Sequence, residues 1–265
     1  MSNLKDVLKN VKYLLLDMDG TVYLGGKLIG NMDKTLDKIR KAGKKIIYLT
    51  NNSSKSVESY YKKLTDMNLF RLGDEVKTSG LAAIDFLKAN RKGKTVRLLG
   101  TTSLKEEFAK NGINVTEEGV ADICVLAYDT ESTYVKLCKF TDNLWENAEY
   151  IVTHPDINCP SENKPLPDVG SFIELIKTST GRVPDVIIGK PYKTFGDWLM
   201  REYNAAPEEF MMVGDRLYTD IAFGVNCGFH SLFVLSGEGT EDMVDKSDKK
   251  PEFILNSLND IVEYL

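Results

Sequence analysis

The chain has 265 residues, 42% hydrophobic and 28% charged, an ordinary soluble globular balance with room for one large domain or two modest ones. A formal net charge of -5 argues against a nucleic-acid partner, because phosphate-backbone binders carry a basic patch or stripe. The opening MSNLKDVLKNVK lacks the apolar core of a signal peptide and no run approaches bilayer length, so the expectation is a cytoplasmic protein with no membrane partner.

In chain order, apolar runs alternate with amphipathic segments. VKYLLLD reads as a buried strand. NMDKTLDKIRKAG places Met32, Leu36 and Ile39 at helical spacing, with Asn31 as N-cap and Gly43 as stop. KKIIYLTNN is a second strand and SKSVESYYKKLTDMN a second helix, capped by Asn52 or Ser53. Much later, PDVIIGKP and EEFMMVGD again end apolar runs in polar tips, each followed by a helical pattern. Such runs joined by helices predict a parallel sheet covered on both faces.

Residues 79–183 form a separate alternating unit. Strands are predicted at KTVRLLG, ADICVLAY and AEYIVTH, and helices at TSLKEEFAKNG, STYVKLCKFTDNLWEN and VGSFIELIKTSTG. The organisation expected is therefore a first domain split into 1–78 and 184–265, with 79–183 inserted. The Pro-rich loop NCPSENKPLPDVG, at 158–170, belongs to the insert. Cys124, Cys138, Cys159 and Cys227 form no C-x-x-C pair, and the only histidines are His154 and His230. A zinc site of usual spacing is not expected, and the cysteines read as reduced thiols.

The first strand ends in Asp17 and Asp19, two carboxylates that repel unless something relieves them. Ligands of open parallel sheets bind beyond the carboxyl ends of the strands. Four apolar runs are expected to bring Asp17 with Asp19, Thr50 with Asn51, Lys190, and Asp215 to one such edge. The aspartates would suit Mg²⁺, and Lys190, Thr50 and Asn51 would suit the oxygens of a phosphoryl group. A calcium loop is ruled out, since the sixth and twelfth positions counted from Asp17 are Val22 and Leu28. Each piece also has a plain reading as a turn, a solvated lysine or a helix cap. All of those would have to hold independently at the same edge.

DMDGT at 17–21, LTNNSSKS at 49–56, IGKP at 188–191 and VGDRLYTDI at 213–221 resemble the four ordered motifs of the haloacid dehalogenase (HAD) superfamily, in its NagD-type, 4-nitrophenylphosphatase-like subfamily IIA. The resemblance implies a Rossmann-like parallel-sheet core with an inserted α/β cap of type C2. It also implies a phosphatase acting on a small phosphorylated metabolite through an aspartyl phosphate. By the same resemblance Asp17 is the nucleophile and Asp19 the general acid and base. Thr50 and Asn51 bind phosphate, and Lys190 neutralises charge on it and on Asp17. Asp215 holds Mg²⁺ with Asp17 and the backbone carbonyl of Asp19, and Asp220 supports the set. Dehalogenases proper lack the second aspartate, so Asp19 favours phosphoryl chemistry.

The cap carries one departure. THPD stands at 153–156 where many relatives resemble TNPD. His154 reads as a loop histidine satisfied by a backbone carbonyl or as a residue that faces the active site and helps choose the leaving group, and Asp129 and Asp156 are similar candidates for substrate contact outside the catalytic set. Caps of this type often mediate homodimers in the family. A phosphotransferase or mutase using the same intermediate, and a non-catalytic phosphate-ligand-binding protein, are the alternatives. The substrate itself is left open.

Overall fold

The computed structural model describes residues 3–160 and 164–265, in two compact units. The first comprises the chain up to Thr50, Tyr60–Lys77 and Lys190–Leu265. Its six-stranded sheet runs in the order Phe253–Leu255, His230–Val234, Phe210–Gly214, Tyr13–Leu16, Lys45–Thr50 and Glu75–Thr78. Tyr13–Leu16 lies at the centre, parallel to Phe210–Gly214 on one side and Lys45–Thr50 on the other. Leu14, Leu15 and Leu16 are fully buried, which is why this strand reads as an unbroken apolar run. Three neighbouring strands therefore end together, at Leu16, Thr50 and Gly214.

The second unit comprises Asn51–Ser59 and Thr78–Gly189. Its parallel sheet runs Val186–Ile187, Glu149–Val152, Ile123–Leu126, Thr95–Leu99 and Asn114–Val115. The helices Tyr134–Trp145 and Val169–Thr180 close a core that includes Phe140, Leu144, Tyr150 and Ile176.

Several local expectations are corrected. The PDVIIGKP run does not join the first sheet. Val186–Ile187 pairs with Glu149–Val152 instead, so Lys190 is reached from an edge strand of the second sheet. The second unit runs on to Gly189 and takes in Asn51–Ser59. Asn31 is the N-cap residue of the helix Met32–Lys41, as expected, although its side chain makes no capping hydrogen bond. Neither Asn52 nor Ser53 caps the helix Val57–Asp66. The Ser56 hydroxyl accepts from the Ser59 N–H at 3.3 Å, while Asn52 Oδ1 accepts from the Ser54 N–H at 2.9 Å in a local turn. Of the Pro-rich loop, Asn158–Cys159 and Leu166–Pro167 pair antiparallel, and 161–163 lie outside the described residues.

Candidate active site

Asp17 follows the central strand directly, its N–H donating to the Val213 carbonyl at 2.9 Å. The chain then turns sharply, with Gly20 at φ +88°. A Cβ at that position would run into the Asp215 carboxylate, so glycine meets both a conformational and a steric requirement. Asp215 leaves the adjacent strand Phe210–Gly214, and a π-helical turn over Leu217–Ile221 carries Asp220. π-Turns are rare and concentrate at functional sites.

Lys190 joins these residues. Its Nζ donates to Asp17 Oδ1 at 2.8 Å, to Asp220 Oδ1 at 2.7 Å and to the Leu49 carbonyl at 3.3 Å, with only 2% of the residue exposed. Burial works against its charge, but Asp17 and Asp220 more than offset it and hold the ammonium above its ordinary pKa. Burial pushes the Asp220 carboxyl up against the pull of Lys190.

Asp17, Asp215 and Asp220 each present an oxygen within 4.8 Å of the others. Asp215 is almost fully buried; its Oδ2 accepts from the Glu238 N–H at 2.7 Å, whereas its Oδ1 has no hydrogen-bond partner. Burial, with the charge of Asp17 adding to it, raises the Asp215 carboxyl to about 6. Gly20 and Gly237 both press on this carboxylate where a Cβ would overlap it. An orphaned buried carboxylate oxygen among three hard oxygen donors is a fitting place for a divalent cation, which would relieve the repulsion.

The Asp19 carboxyl stands apart from that cluster. Burial raises its pKa, Lys63 pulls it down and Asp17 pushes it up again, with a net rise. The Lys63 ammonium lies 3.8 Å over the ring of Tyr23, which forms a β-bridge with Asp19. Thr50 is buried at the end of its strand, and Asn51 opens the second unit. Asp129 accepts from Lys136 at 3.0 Å and from the Glu131 N–H at 2.9 Å, a structural role within the second unit.

The loop after His230–Val234 escaped the sequence reading. Ser236 Oγ donates to the Gly20 carbonyl at 2.8 Å, and Glu238 accepts from Arg216 Nε at 2.9 Å and from the Tyr218 hydroxyl at 2.8 Å. This loop braces Asp215 and the DMDGT turn from the opposite side. The only sequence signal for it is the small-residue stretch SGEG directly after a buried strand.

Residues 14–114 match the haloacid dehalogenase-like hydrolases, and 187–261 match a HAD-hydrolase-like family. An acid sugar phosphatase of Staphylococcus haemolyticus is 32% identical over 252 residues, 95% of each chain.

The chain belongs to the haloacid dehalogenase-like hydrolases.

Within that family it falls in the NagD-type subfamily IIA. The 4-nitrophenylphosphatase of Thermotoga maritima has a TM-score of 0.92 at 38% identity, covering 97% of this chain and 98% of its own. The glycerol phosphate phosphatase of Mycobacterium tuberculosis, whose crystal structure is a complex with calcium, has a TM-score of 0.88 at 26% identity, covering 96% of this chain and 75% of its own. This HAD hydrolase therefore acts on phosphoric monoesters. Among the described residues no helix is long and apolar enough to cross a membrane.

Proposed function

We propose that the protein is a Mg²⁺-dependent phosphatase of a small phosphorylated metabolite, working through an aspartyl phosphate on Asp17. The observation that carries this reading is the buried Lys190 ammonium bonded to Asp17 beside two further carboxylates. In the proposed cycle an Asp17 oxygen attacks phosphorus and the ester P–O bond breaks. Asp19 gives its proton to the departing oxygen. A water then attacks phosphorus and yields its proton to Asp19, releasing inorganic phosphate and restoring Asp17. Burial, the largest influence on Asp19, moves its pKa in the direction that favours the acid form.

Lys190, Thr50 and Asn51 are assigned to the phosphoryl oxygens, where fixed donors stabilise developing charge. Mg²⁺ would be held by Asp17, Asp215 and the backbone carbonyl of Asp19, with Asp220 supporting Lys190. Once bound it would supply Lewis-acid neutralisation of phosphoryl charge. The second unit is proposed as the cap that selects the leaving group. Sugar phosphates are the first class to test, given the name of the Staphylococcus haemolyticus relative. None of the four cysteines is in a disulfide, which supports a cytoplasmic setting. A homodimer would draw on the exposed Tyr134, Val135 and Trp145 of the second unit.

The test is release of 4-nitrophenol from 4-nitrophenyl phosphate with and without Mg²⁺, beside Asp17→Asn. Mg²⁺-dependent release that vanishes in the variant supports the reading, and substantial retained turnover overturns the nucleophile assignment. Added sugar that captures phosphate at the expense of free phosphate would make the enzyme a phosphotransferase instead.

A further inference from the structure

Within the second unit Asp156 of the THPD segment holds the Asn51 side chain, and Ser79 holds its backbone carbonyl. Asn51 Nδ2 donates to the two Asp156 oxygens at 3.2 and 3.1 Å, which fixes the direction of the amide because a carboxylate only accepts. The Asn51 carbonyl accepts from the Ser79 hydroxyl, whose oxygen lies 3.4 Å from His154 Nδ1.

His154 is completely buried and its two nitrogens are used differently. Nε2 lies 3.0 Å from Asp168 Oδ1, and Asp168 also accepts from the Val169 N–H at 2.7 Å as the N-cap of the helix Val169–Thr180. Asp168 can only accept, so it faces an Nε2 proton, while Nδ1 faces hydroxyl oxygens. Thr153 Oγ1 lies 3.1 Å from Nδ1, and Ser53 Oγ lies 3.1 Å from Thr153 Oγ1. Ser53 Oγ in turn accepts from the Tyr128 N–H at 3.0 Å.

We propose that Asp156 and the His154–Asp168 pair are positioning residues that set the Asn51–Ser53 loop for phosphate binding. The inference deepens the phosphatase reading and rests on Asn51 as a phosphate ligand. A histidine that only stabilises the core would contribute to melting temperature and leave ligand affinity alone. A positioning network changes how tightly phosphate is held.

The experiment measures KM and kcat for 4-nitrophenyl phosphate and the inhibition constant of inorganic phosphate, in the Mg²⁺-loaded full chain. Asp156→Ala, at a half-buried position, is expected to raise KM and the phosphate inhibition constant about tenfold, the scale of one charge-assisted hydrogen bond. Its kcat should fall less than about threefold, as expected when ground-state and transition-state binding are lost together. Asp156→Asn, which keeps one acceptor oxygen, should recover most of the loss. His154→Gln should shift the same constants in the same direction. In an Asn51→Ala background the effect of Asp156→Ala should shrink to under about twofold, since interacting residues are not additive.

Folded Asp156→Ala and His154→Gln proteins with unchanged KM and phosphate inhibition would overturn the inference. A full Asp156→Ala effect persisting without the Asn51 side chain would do the same. If Asn51→Ala alone leaves phosphate inhibition untouched, the assignment of Asn51 itself fails, an outcome distinct from failure of its positioning.

Discussion

The Lys190 ammonium lies 2.7 Å from the Asp220 carboxylate, and the side chains are 2% and 1% exposed. Neither charge has bulk water to fall back on: Lys190 relies on Asp220 and Asp17, whereas Asp220 relies on Lys190 and the Arg216 N–H and is repelled by Asp17. Breaking a buried pair from one side costs about 3–5 kcal/mol because it strands the remaining charge. Lys190→Met is therefore expected to lower unfolding free energy by roughly that amount and turnover by at least about a hundredfold. Asp220→Asn, which leaves the contact of Lys190 with Asp17 intact, should destabilise less. Urea unfolding of the metal-free proteins checks the order.

Asp19 offers a test through the leaving group. Protonation matters little when the departing oxygen is already stable as an anion. Asp19→Asn should cost at least about tenfold more kcat on an alkyl phosphate than on 4-nitrophenyl phosphate. Equal losses on both esters would remove Asp19 from the acid role.

The proposed metal ligand Asp215 ties together metal binding, pH and stability. Burial, with the charge of Asp17 adding to it, raises its carboxyl to about 6, above the ordinary aspartate value of 3.8. Between those values the folded state binds more protons than the unfolded one, so this group's contribution to stability falls as pH rises through that window. The cost persists above it. Metal-free protein should consequently be stabilised at pH 7.5 by Asp215→Asn, by about 1–3 kcal/mol, while losing Mg²⁺ affinity. If Asp215 is a Mg²⁺ ligand as proposed, the ion must displace a proton at low pH in the wild type. Its affinity by calorimetry should be higher at pH 7.5 than at pH 5.5, and equal affinity would exclude Asp215 as a ligand.

Gly237 lies against the same carboxylate, and a Cβ there would overlap Asp215. Gly237→Ala should push that side chain aside and weaken Mg²⁺ binding by at least about tenfold, with most of the metal-free stability retained. Calorimetric Mg²⁺ titration beside a thermal melt separates the two effects.

What could be read along the chain was what local pattern encodes. Unbroken apolar runs such as YLLL and FMMVG announced buried parallel strands, because burial on both faces removes the polar alternation. Helical spacing of Met32, Leu36 and Ile39 matches the buried face of Met32–Lys41. The four motifs likewise declared their residue types, and with them phosphoryl chemistry.

Choice of partners belongs to the tertiary structure. PDVIIGKP looks like any other strand of the first sheet, yet it pairs with Glu149–Val152. Its periodicity is the same on either sheet, and only long-range packing selects one. Lys190 meets Asp17 across 173 positions and Asp220 across 30, separations at which no local propensity acts. Asp220, the SGEG loop and the buried His154–Asp168 pair acquire their roles from what surrounds them. A side chain's type states which bonds it is able to make, and the folded environment decides which of them it makes.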